Sequence, residues 1–408
     1  MFSIFSQIAE RACQGQAASR DEALTILNSS DDDLIDLVAA TSRVRRKFFS
    51  NLVKINYLVN LKSGLCPEDC GYCSQRLGSD TDVLKYPWLP KADAQRQAEF
   101  GLSGGASRVC LVASGRGPSN RDVGKVSDMV TSIKSSNPDV EVFACLGFLK
   151  DGQAETLKTA GVDAYNHNLN TAESHYPEIC STHTFADRVD TVTRARNAGM
   201  SPCSGLIVGM GETHEQVVEA IESLRAVDSD SIPVNFLIPF DATPLAGTYE
   251  LSPHKAMRIL CAIRLMCPDR ELRIAGGREM HLRSWQPVSL HVANSLFLGD
   301  YLTVEGQTAE ADLDMIVDGG FQIVGADEPA AALRDRVLAH RAATSPGPEP
   351  QTTPEEQAGD ISLPCGKKTS VSAAPGGNLT VPTIRRRGAG TQYEPNAYIQ
   401  FGAARIPD

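Results

Sequence analysis

Short apolar blocks and amphipathic blocks alternate along most of the chain, and the two kinds of block differ in their period. Runs rich in β-branched and apolar residues, which are typical of strands, recur between residues 54 and 299. These runs are KINYLVNLK, SRVCLVAS, VEVFACLG, DAYNHNLN, SPCSGLIVG, SIPVNFLIP, ELRIAGG and, as the weakest, VANSLFLG. Segments with helical spacing lie between them: AQRQAEFGLSG, DVGKVSDMVTSIKSS, QAETLKTAG, FADRVDTVTRARNAG, HEQVVEAIESLRAV and HKAMRILCAIRLM. Repeated βα units predict a parallel sheet, and about eight of them predict a closed (β/α)₈ TIM-type barrel with its site at the carboxyl ends of the strands.

The two ends of the chain differ from this repeat. Residues 1–50 predict helices packed on the barrel, and SRDEALTIL begins with Ser19 as a candidate cap. The barrel is assigned to residues 51–325. Residues 326–408 are interpreted as a linker and a disordered C-terminal extension, because RAATSPGPEPQTTPEEQAGD is rich in Pro, Ser, Thr, Glu and Gly.

Composition narrows the class of protein. The chain has 408 residues, of which 42% are hydrophobic, and a formal net charge of −11, which argues against a nucleic-acid partner. It contains neither a signal peptide nor a run of about 18 apolar residues, so we expect a cytoplasmic protein without a membrane segment. In such a reducing compartment its eleven cysteines are expected to be metal ligands, catalytic groups or apolar fillers rather than disulfides.

Three cysteines, Cys66, Cys70 and Cys73, follow the first predicted strand in GLCPEDCGYCSQ. A structural zinc site normally needs a fourth ligand, and none stands nearby in the sequence. Ferredoxin-type runs have the spacing C-x₂-C-x₂-C, which differs from this one. The spacing favours a [4Fe–4S] cluster with one iron left open for a chelating cofactor.

Polar side chains recur near the ends of the other predicted strands: Cys110, Asn166, Asn168, Asn170, Cys203, Asn235 and Arg273. Any one of them alone is best explained as a hydrogen-bonded core residue. Together around one barrel mouth they favour a site, because burying so many polar groups is unfavourable unless partners satisfy them. Alternation along a strand would place the three asparagines on one side and turn His167 away.

C-x₃-C-x₂-C after the first strand of a βα barrel is the hallmark of the radical S-adenosylmethionine (SAM) enzymes. The wider text resembles the biotin synthase family in six separated motifs over about residues 20–325: GLCPEDCGYCSQ, RVCLVASGRGP, AYNHNLNT, CSGLIVGMGET, SIPVNFLIPF and LRIAGGRE. The resemblance implies a sulfurtransferase that inserts sulfur into dethiobiotin to form biotin. A [4Fe–4S] cluster would cleave SAM reductively to a 5′-deoxyadenosyl radical, and a second cluster, [2Fe–2S] in the family, would donate the sulfur.

The same resemblance implies partners and roles for individual residues. A one-electron donor such as flavodoxin or ferredoxin, the iron–sulfur assembly machinery and a second copy in a homodimer are expected. Cys66, Cys70 and Cys73 would hold the [4Fe–4S] cluster. The SAM-binding residues would be Tyr72, Asn168, Asn170, Arg188 and Ile207. Asn166 and Asn235 would bind the ureido ring of dethiobiotin.

For the second cluster, Cys110, Cys203 and Arg273 match three of the four ligand positions of the family. The fourth position falls on Phe143, and Cys145 stands two residues later on the same predicted strand face. Two interpretations stay open: Cys145 replaces the usual ligand, or Cys145 is a buried filler. A smaller departure is Asn170, where many family members carry Asp.

Two rival functions remain at this point. One is another radical SAM barrel enzyme, of the hydrogenase-maturase or methylornithine-synthase type. The other is a degenerate, non-catalytic iron–sulfur protein, which Phe143 favours. Five cysteines match no motif and are not assigned: Cys13, Cys180, Cys261, Cys267 and Cys365.

Overall fold

The computed structural model describes residues 3–344 except 77, 82, 249 and 250. Ten strands form one sheet. They are β1 (Leu52–Lys62), β2 (Arg108–Ala113), β3 (Glu141–Cys145), β4 (Ala164–Asn166), β5 (Ser201–Cys203), β6 (Leu206–Val208), β7 (Ser231–Phe236), β8 (Glu271–Ile274), β9 (Ser295–Phe297) and β10 (Gln322–Ile323).

Helices precede the barrel, alternate with its strands and follow it. They are α1 (Ile4–Cys13), α2 (Arg20–Leu27), α3 (Leu34–Phe49), α4 (Lys91–Ser103), α5 (Asn120–Ser136), α6 (Gln153–Thr159), α7 (Tyr176–Ile179), α8 (Phe185–Asn197), α9 (His214–Ala226), α10 (Pro253–Met266), α11 (Arg278–His281), α12 (Gln286–Ser289), α13 (Ala309–Asp318) and α14 (Ala330–Thr344). No helix in these described ranges is long and apolar enough to cross a membrane.

The sheet closes on itself, as the repeat predicted. β1 pairs in parallel with β2 on one side and with β9 on the other, and the strands between follow chain order. β5 and β6 both pair with β7 and together occupy one place, which gives the eight positions of a (β/α)₈ barrel. The apolar core lies mainly between the sheet and its helices, and a smaller cluster around Phe143 and Phe297 fills the barrel interior.

The predicted strand SPCSGLIVG is interrupted between β5 and β6, and this break shapes the barrel mouth. A Cβ at Gly205 would lie 1.8 Å from the Pro233 carbonyl oxygen, so a residue with a side chain does not fit there. The Gly205 amide donates to Asn168 Oδ1 at 3.1 Å instead of to a neighbouring strand. The break therefore brings a polar side chain into the rim of the barrel.

The N-terminal helices form as predicted, with Ser19 capping α2 in a reciprocal capping box with Glu22. α3 packs on α10, and the buried Arg45 side chain donates to the carbonyl oxygen of Ala293 at 3.2 Å. The structure differs from the prediction after residue 325, because α14 covers residues 330–344 and buries Leu333 and Val337. Its apolar positions were too sparse in the sequence to indicate a helix. Residues 345–408 lie outside the described residues.

Candidate active site at the barrel mouth

The cysteine loop leaves β1 through a tight turn in which Gly64 and Leu65 both have positive φ. The loop is tied together by hydrogen bonds from the Cys66 amide to the Gln75 carbonyl, 3.0 Å, and from the Cys73 amide to the Cys70 carbonyl, 3.1 Å. The Gly71 amide donates to the carbonyl oxygen of Ile179 at 2.8 Å. These bonds hold three thiols on one short loop at the carboxyl end of the first strand.

Burial sets the acidity of these thiols. It raises the pKa of Cys73 to about 11, and it also raises the pKa of Cys66. The thiols are therefore protonated near neutral pH when no metal is bound. Because metal ligands must be thiolates, loading iron on the loop releases protons.

Arg188 from α8 connects several of the residues predicted to bind SAM. Its Nη1 donates to the Asn168 carbonyl oxygen at 2.9 Å, and its Nη2 lies 3.5 Å from the Tyr72 hydroxyl. Asn170 Nδ2 donates to the same hydroxyl at 2.6 Å. Tyr176, which no motif indicated, accepts a hydrogen bond from Arg188 Nε. The structure thus brings these predicted residues into one network beside the cysteine loop.

The network contains residues that the sequence analysis did not assign. His183 lies with its side chain 1% exposed between Glu68 of the cysteine loop and Arg188. Burial and the nearby guanidinium lower the pKa of His183, so the ring is neutral. Cys180 Sγ is 3.7 Å from Cys70 Sγ. The only signal for these contacts in the sequence was the CSTH run at 180–183, which has no regular strand or helix period.

A cavity of about 260 Å³ opens beside this network, and half of the predicted site residues line it. They are Tyr72, Cys73, Cys145, Asn166, Asn168, Ile207 and Asn235. Asn166 Oδ1 is buried without a hydrogen-bond partner. Asn235 Oδ1 accepts from the Gly276 amide at 3.2 Å, which fixes the orientation of its side chain. An unpaired buried acceptor in a cavity is free to bind an N–H group of a ligand.

The prediction that strand alternation places three asparagines on one face is wrong in its geometry. β4 ends at Asn166, and Asn170 adopts a left-handed conformation with φ 72°. Asn166 and Asn168 line the cavity, whereas Asn170 reaches Tyr72. His167 turns away as expected and packs edge-on against Phe148, with ring centroids 4.9 Å apart.

Deeper in the barrel, Cys110 and Cys203 are buried in the cluster that surrounds Phe143. Cys110 pairs with Phe143 in the sheet register, and the Phe143 ring lies 3.9 Å from the Arg108 guanidinium. An aromatic ring therefore fills the place where the family resemblance implies a thiol.

Cys145 lies nearer to the cavity than Phe143 does. Cys203 pairs with Asn166, whereas Phe143 pairs with Ala164, two residues earlier on β4. Cys203 is thus level with Cys145 in the ladder. Burial, together with the neighbouring Cys203 and Cys110, raises the pKa of Cys145 to about 12. The three thiols are close enough to affect one another.

Arg273 from β8 completes this group. Its Nη2 donates to Ser231 Oγ at 2.8 Å and to Glu271 at 2.7 Å, but its Nη1 is buried without a partner. Burial alone would raise the pKa of Glu271, but Arg108 and Arg273 hold it well below its ordinary value. The guanidinium is thus anchored at one end and has an unsatisfied N–H at the other, which fits a sulfide or other anionic group.

The remaining cysteines lie elsewhere. Cys261 is buried within α10 and Cys267 at its end, so both belong to the apolar core. Cys13 is partly buried on α1. Cys365 lies outside the described residues.

Two family models match the chain. The model of the radical SAM superfamily matches residues 61–224, and that of the biotin and thiamin synthesis associated domain matches residues 233–322. A biotin synthase of Kocuria rhizophila is 66% identical over 326 residues, which are 80% of this chain and 70% of that protein. A biotin synthase of Streptomyces avermitilis is 54% identical over 97% of this chain and 100% of its own length.

Solved structures agree on the fold. The FeFe-hydrogenase maturase HydG from Carboxydothermus hydrogenoformans superposes with a TM-score of 0.67 at 18% identity, covering 78% of this chain and 79% of that one. Methylornithine synthase superposes with a TM-score of 0.64 at 20% identity, covering 71% and 85%. At this identity the likeness concerns the barrel alone.

Proposed function

The chain belongs to the biotin synthase family of radical SAM enzymes, and we propose how its residues divide the work of that reaction. It is a sulfurtransferase that makes biotin, and it uses a [4Fe–4S] cluster, SAM and a second iron–sulfur cluster, which is [2Fe–2S] in the family. The observation that carries the assignment of residues is the network from the cysteine loop through Tyr72 and Arg188 to the cavity.

Cys66, Cys70 and Cys73 would hold the [4Fe–4S] cluster, and three protein ligands would leave one iron open for SAM. When bound, the clusters and SAM supply the electron transfer, the radical and the sulfur atom, and the protein supplies position and shelter from water. Half-buried and buried thiols on one hydrogen-bonded loop fit this role, because a cluster replaces their protons and fills space that apolar residues surround.

SAM binds beside the loop. Arg188 is the counterion of its carboxylate, since a guanidinium presents paired donors to a carboxylate. Asn168 and Asn170 hydrogen-bond its polar groups, Ile207 packs on the adenosyl part, and Tyr72 lies against it at the cavity wall.

Dethiobiotin occupies the cavity with its ureido ring on Asn166 and Asn235. The ring is neutral and carries both N–H donors and a carbonyl acceptor, which amide side chains match. Asn166 supplies the unpaired acceptor, and the apolar side chains of Leu58, Val112 and Phe297 line the same cavity and exclude water from the reacting carbons.

The second cluster is held by Cys110, Cys203 and Arg273, with Cys145 in the place of the family ligand. Cys145 is level with Cys203 in the ladder and lines the cavity, whereas Phe143 is packed under Arg108. Cys145 would offer its thiol one two-residue step along β3, about 6 to 7 Å, nearer the strand ends than the family position at Phe143.

Partners follow from the chemistry. An acidic one-electron carrier such as flavodoxin or ferredoxin docks over the exposed Leu65, near the basic side chains of Lys62 and Arg116. The iron–sulfur assembly machinery loads the clusters.

The enzyme works in the cytoplasm as a homodimer. The barrel of residues 51–325 carries the chemistry, and the helical segment 1–50 supports it.

One experiment separates the possible outcomes. The protein is reconstituted anaerobically with iron and sulfide, supplied with dithionite, SAM and dethiobiotin, and assayed for 5′-deoxyadenosine and biotin together. Both products are expected. Deoxyadenosine without biotin would mean that the second site does not deliver sulfur, which is the degenerate alternative that Phe143 favours. Absence of both would contradict the assignment of the cysteine loop.

A further inference from the structure

The segment 180–183 is fastened to the cysteine loop between two of its cysteines. Asp69 accepts hydrogen bonds from the backbone amides of Ser181, 3.0 Å, and Thr182, 3.1 Å. Glu68 accepts from Thr182 Oγ1 at 2.5 Å and pairs with Arg116 at 2.8 Å. These hydrogen bonds therefore hold the cysteine loop and the segment that leads into α8 in a fixed relative position.

His183 links these hydrogen bonds to the guanidinium of Arg188. Its Nδ1 is 2.5 Å from Glu68 Oε2, and its Nε2 is 2.9 Å from Arg188 Nη2. A guanidinium can only donate, so Nε2 must accept, and the single proton of the neutral ring stands on Nδ1 and is donated to Glu68. One tautomer satisfies both contacts.

A metal ion is the obvious rival for this group, because ligand atoms of Cys70, Cys180 and His183 all lie within 4.8 Å of one another. A metal bound at Nδ1 would need that nitrogen unprotonated, which moves the proton to Nε2. The Nε2–H group would then point at an N–H group of Arg188. Two hydrogen-bond donors facing each other in a buried site are unfavourable. The position of the Arg188 guanidinium therefore disfavours a metal ion at Nδ1 of His183.

We propose that His183 is a positioning residue for SAM, which orients Arg188 and fixes it relative to the cysteine loop. Tyr176 and the Asn168 carbonyl hold Nε and Nη1, and His183 holds Nη2. The two hydrogen bonds that link Glu68 to His183 and His183 to Arg188 therefore set the distance between the cysteine loop and the guanidinium proposed to bind the SAM carboxylate. The proposal rests on the proposed role of Arg188.

The test compares two substitutions of different chemistry. His183→Phe keeps the ring contacts with Phe148 and Tyr176 but removes both hydrogen bonds. His183→Gln keeps an acceptor that can reach Arg188. Reconstituted enzymes are compared for iron and sulfide content, the Kd of SAM, and KM and kcat of deoxyadenosine formation. His183→Phe is expected to weaken SAM binding and raise KM about tenfold, with kcat and iron content unchanged, since it removes the charge-assisted hydrogen bond that orients Arg188. His183→Gln is expected to recover most of this loss.

Arg188→Lys distinguishes the two levels of the argument. If Arg188→Lys weakens SAM binding but His183→Phe does not, or if His183→Gln is as weak as His183→Phe, the positioning role is overturned and the proposed function stands. If Arg188→Lys binds SAM as the wild type does, the assignment of Arg188 itself is wrong. Loss of iron in His183→Phe would point to a purely structural role and would also overturn the proposal.

Discussion

The two regions proposed to bind the iron–sulfur clusters are built in opposite ways. The cysteine loop at the mouth is an irregular segment held by hydrogen bonds, with Glu68 and Asp69 between its cysteines acting as acceptors for the 180–183 segment. The second region lies on regular strands, where Cys110 and Cys203 are packed among apolar side chains. A loop that is hydrogen-bonded to its surroundings depends on particular residues. A packed strand interior requires mainly that volume be conserved, so a ligand position there can change while the fold persists.

Phe143 illustrates this tolerance. Its ring lies near two cations, 3.9 Å from the Arg108 guanidinium and 5.8 Å from that of Arg273. An aromatic face over a guanidinium is favourable by about 0.5 to 2 kcal/mol. The ring thus fills the space that a thiolate would occupy and, like a thiolate, attracts the nearby guanidinium groups. Cys145 lies two residues farther along β3, closer to the cavity.

The largest effect is expected from the loop. Cys70→Ala should abolish the [4Fe–4S] cluster and reduce deoxyadenosine formation to background, because three thiolates are the minimum that holds this cluster with one iron open. Iron analysis, electron paramagnetic resonance and product assays measure this. Cys13→Ala, which removes a partly buried thiol on α1, is the matched control and should behave like the wild type. An active Cys70→Ala enzyme would refute the site.

Cys145→Ala should separate the two regions. We expect the first cluster and SAM cleavage to persist, while iron beyond four per chain and biotin formation fall at least tenfold, because a ligand of the second cluster is lost. Cys267→Ala is the control, since it removes a buried thiol that lies at the end of α10 and does not line the cavity. If Cys145→Ala retains the second cluster and full biotin formation, Cys145 is a filler.

The double substitution Phe143→Cys/Cys145→Ala moves the thiol to the family position. It should recover second-cluster iron and biotin formation relative to Cys145→Ala alone. In the cluster-free state the loss of the ring should lower the free energy of unfolding by about 2 to 4 kcal/mol, as large-to-small core substitutions do. Chemical denaturation checks the second value. If the double variant folds normally but does not recover iron, the surroundings of position 143, including Arg108 and Arg273, do not accept a cluster ligand there.

The same contrast explains what the sequence could predict. The barrel was predictable, because each strand and helix carries its own period, and the grouping of Cys66, Cys70 and Cys73 on one loop was predictable because their spacing is local. The positions of Asn168 and Asn170 were not, since β4 ends at Asn166 and the chain continues without a period. His183 could not be found at all, because its partners lie more than a hundred residues away on the cysteine loop and five away on α8.

The smallest effect is expected at Asn170, the other departure from the family. Asn170→Asp should tighten SAM binding only about threefold. A carboxylate would add charge assistance to the hydrogen bonds with the SAM ribose that the family resemblance implies for this position, but it gives up the donor that now binds the Tyr72 hydroxyl. That hydroxyl can reverse its role and donate to the carboxylate. The left-handed backbone with φ 72° tolerates Asp as well as Asn, so stability should not change. Equilibrium binding of SAM to the reconstituted enzyme measures the gain, with Asn170→Ala expected to lose affinity. A weaker Asn170→Asp complex would show that the amide donor to Tyr72, and not the acceptor toward the ribose, is what this position contributes.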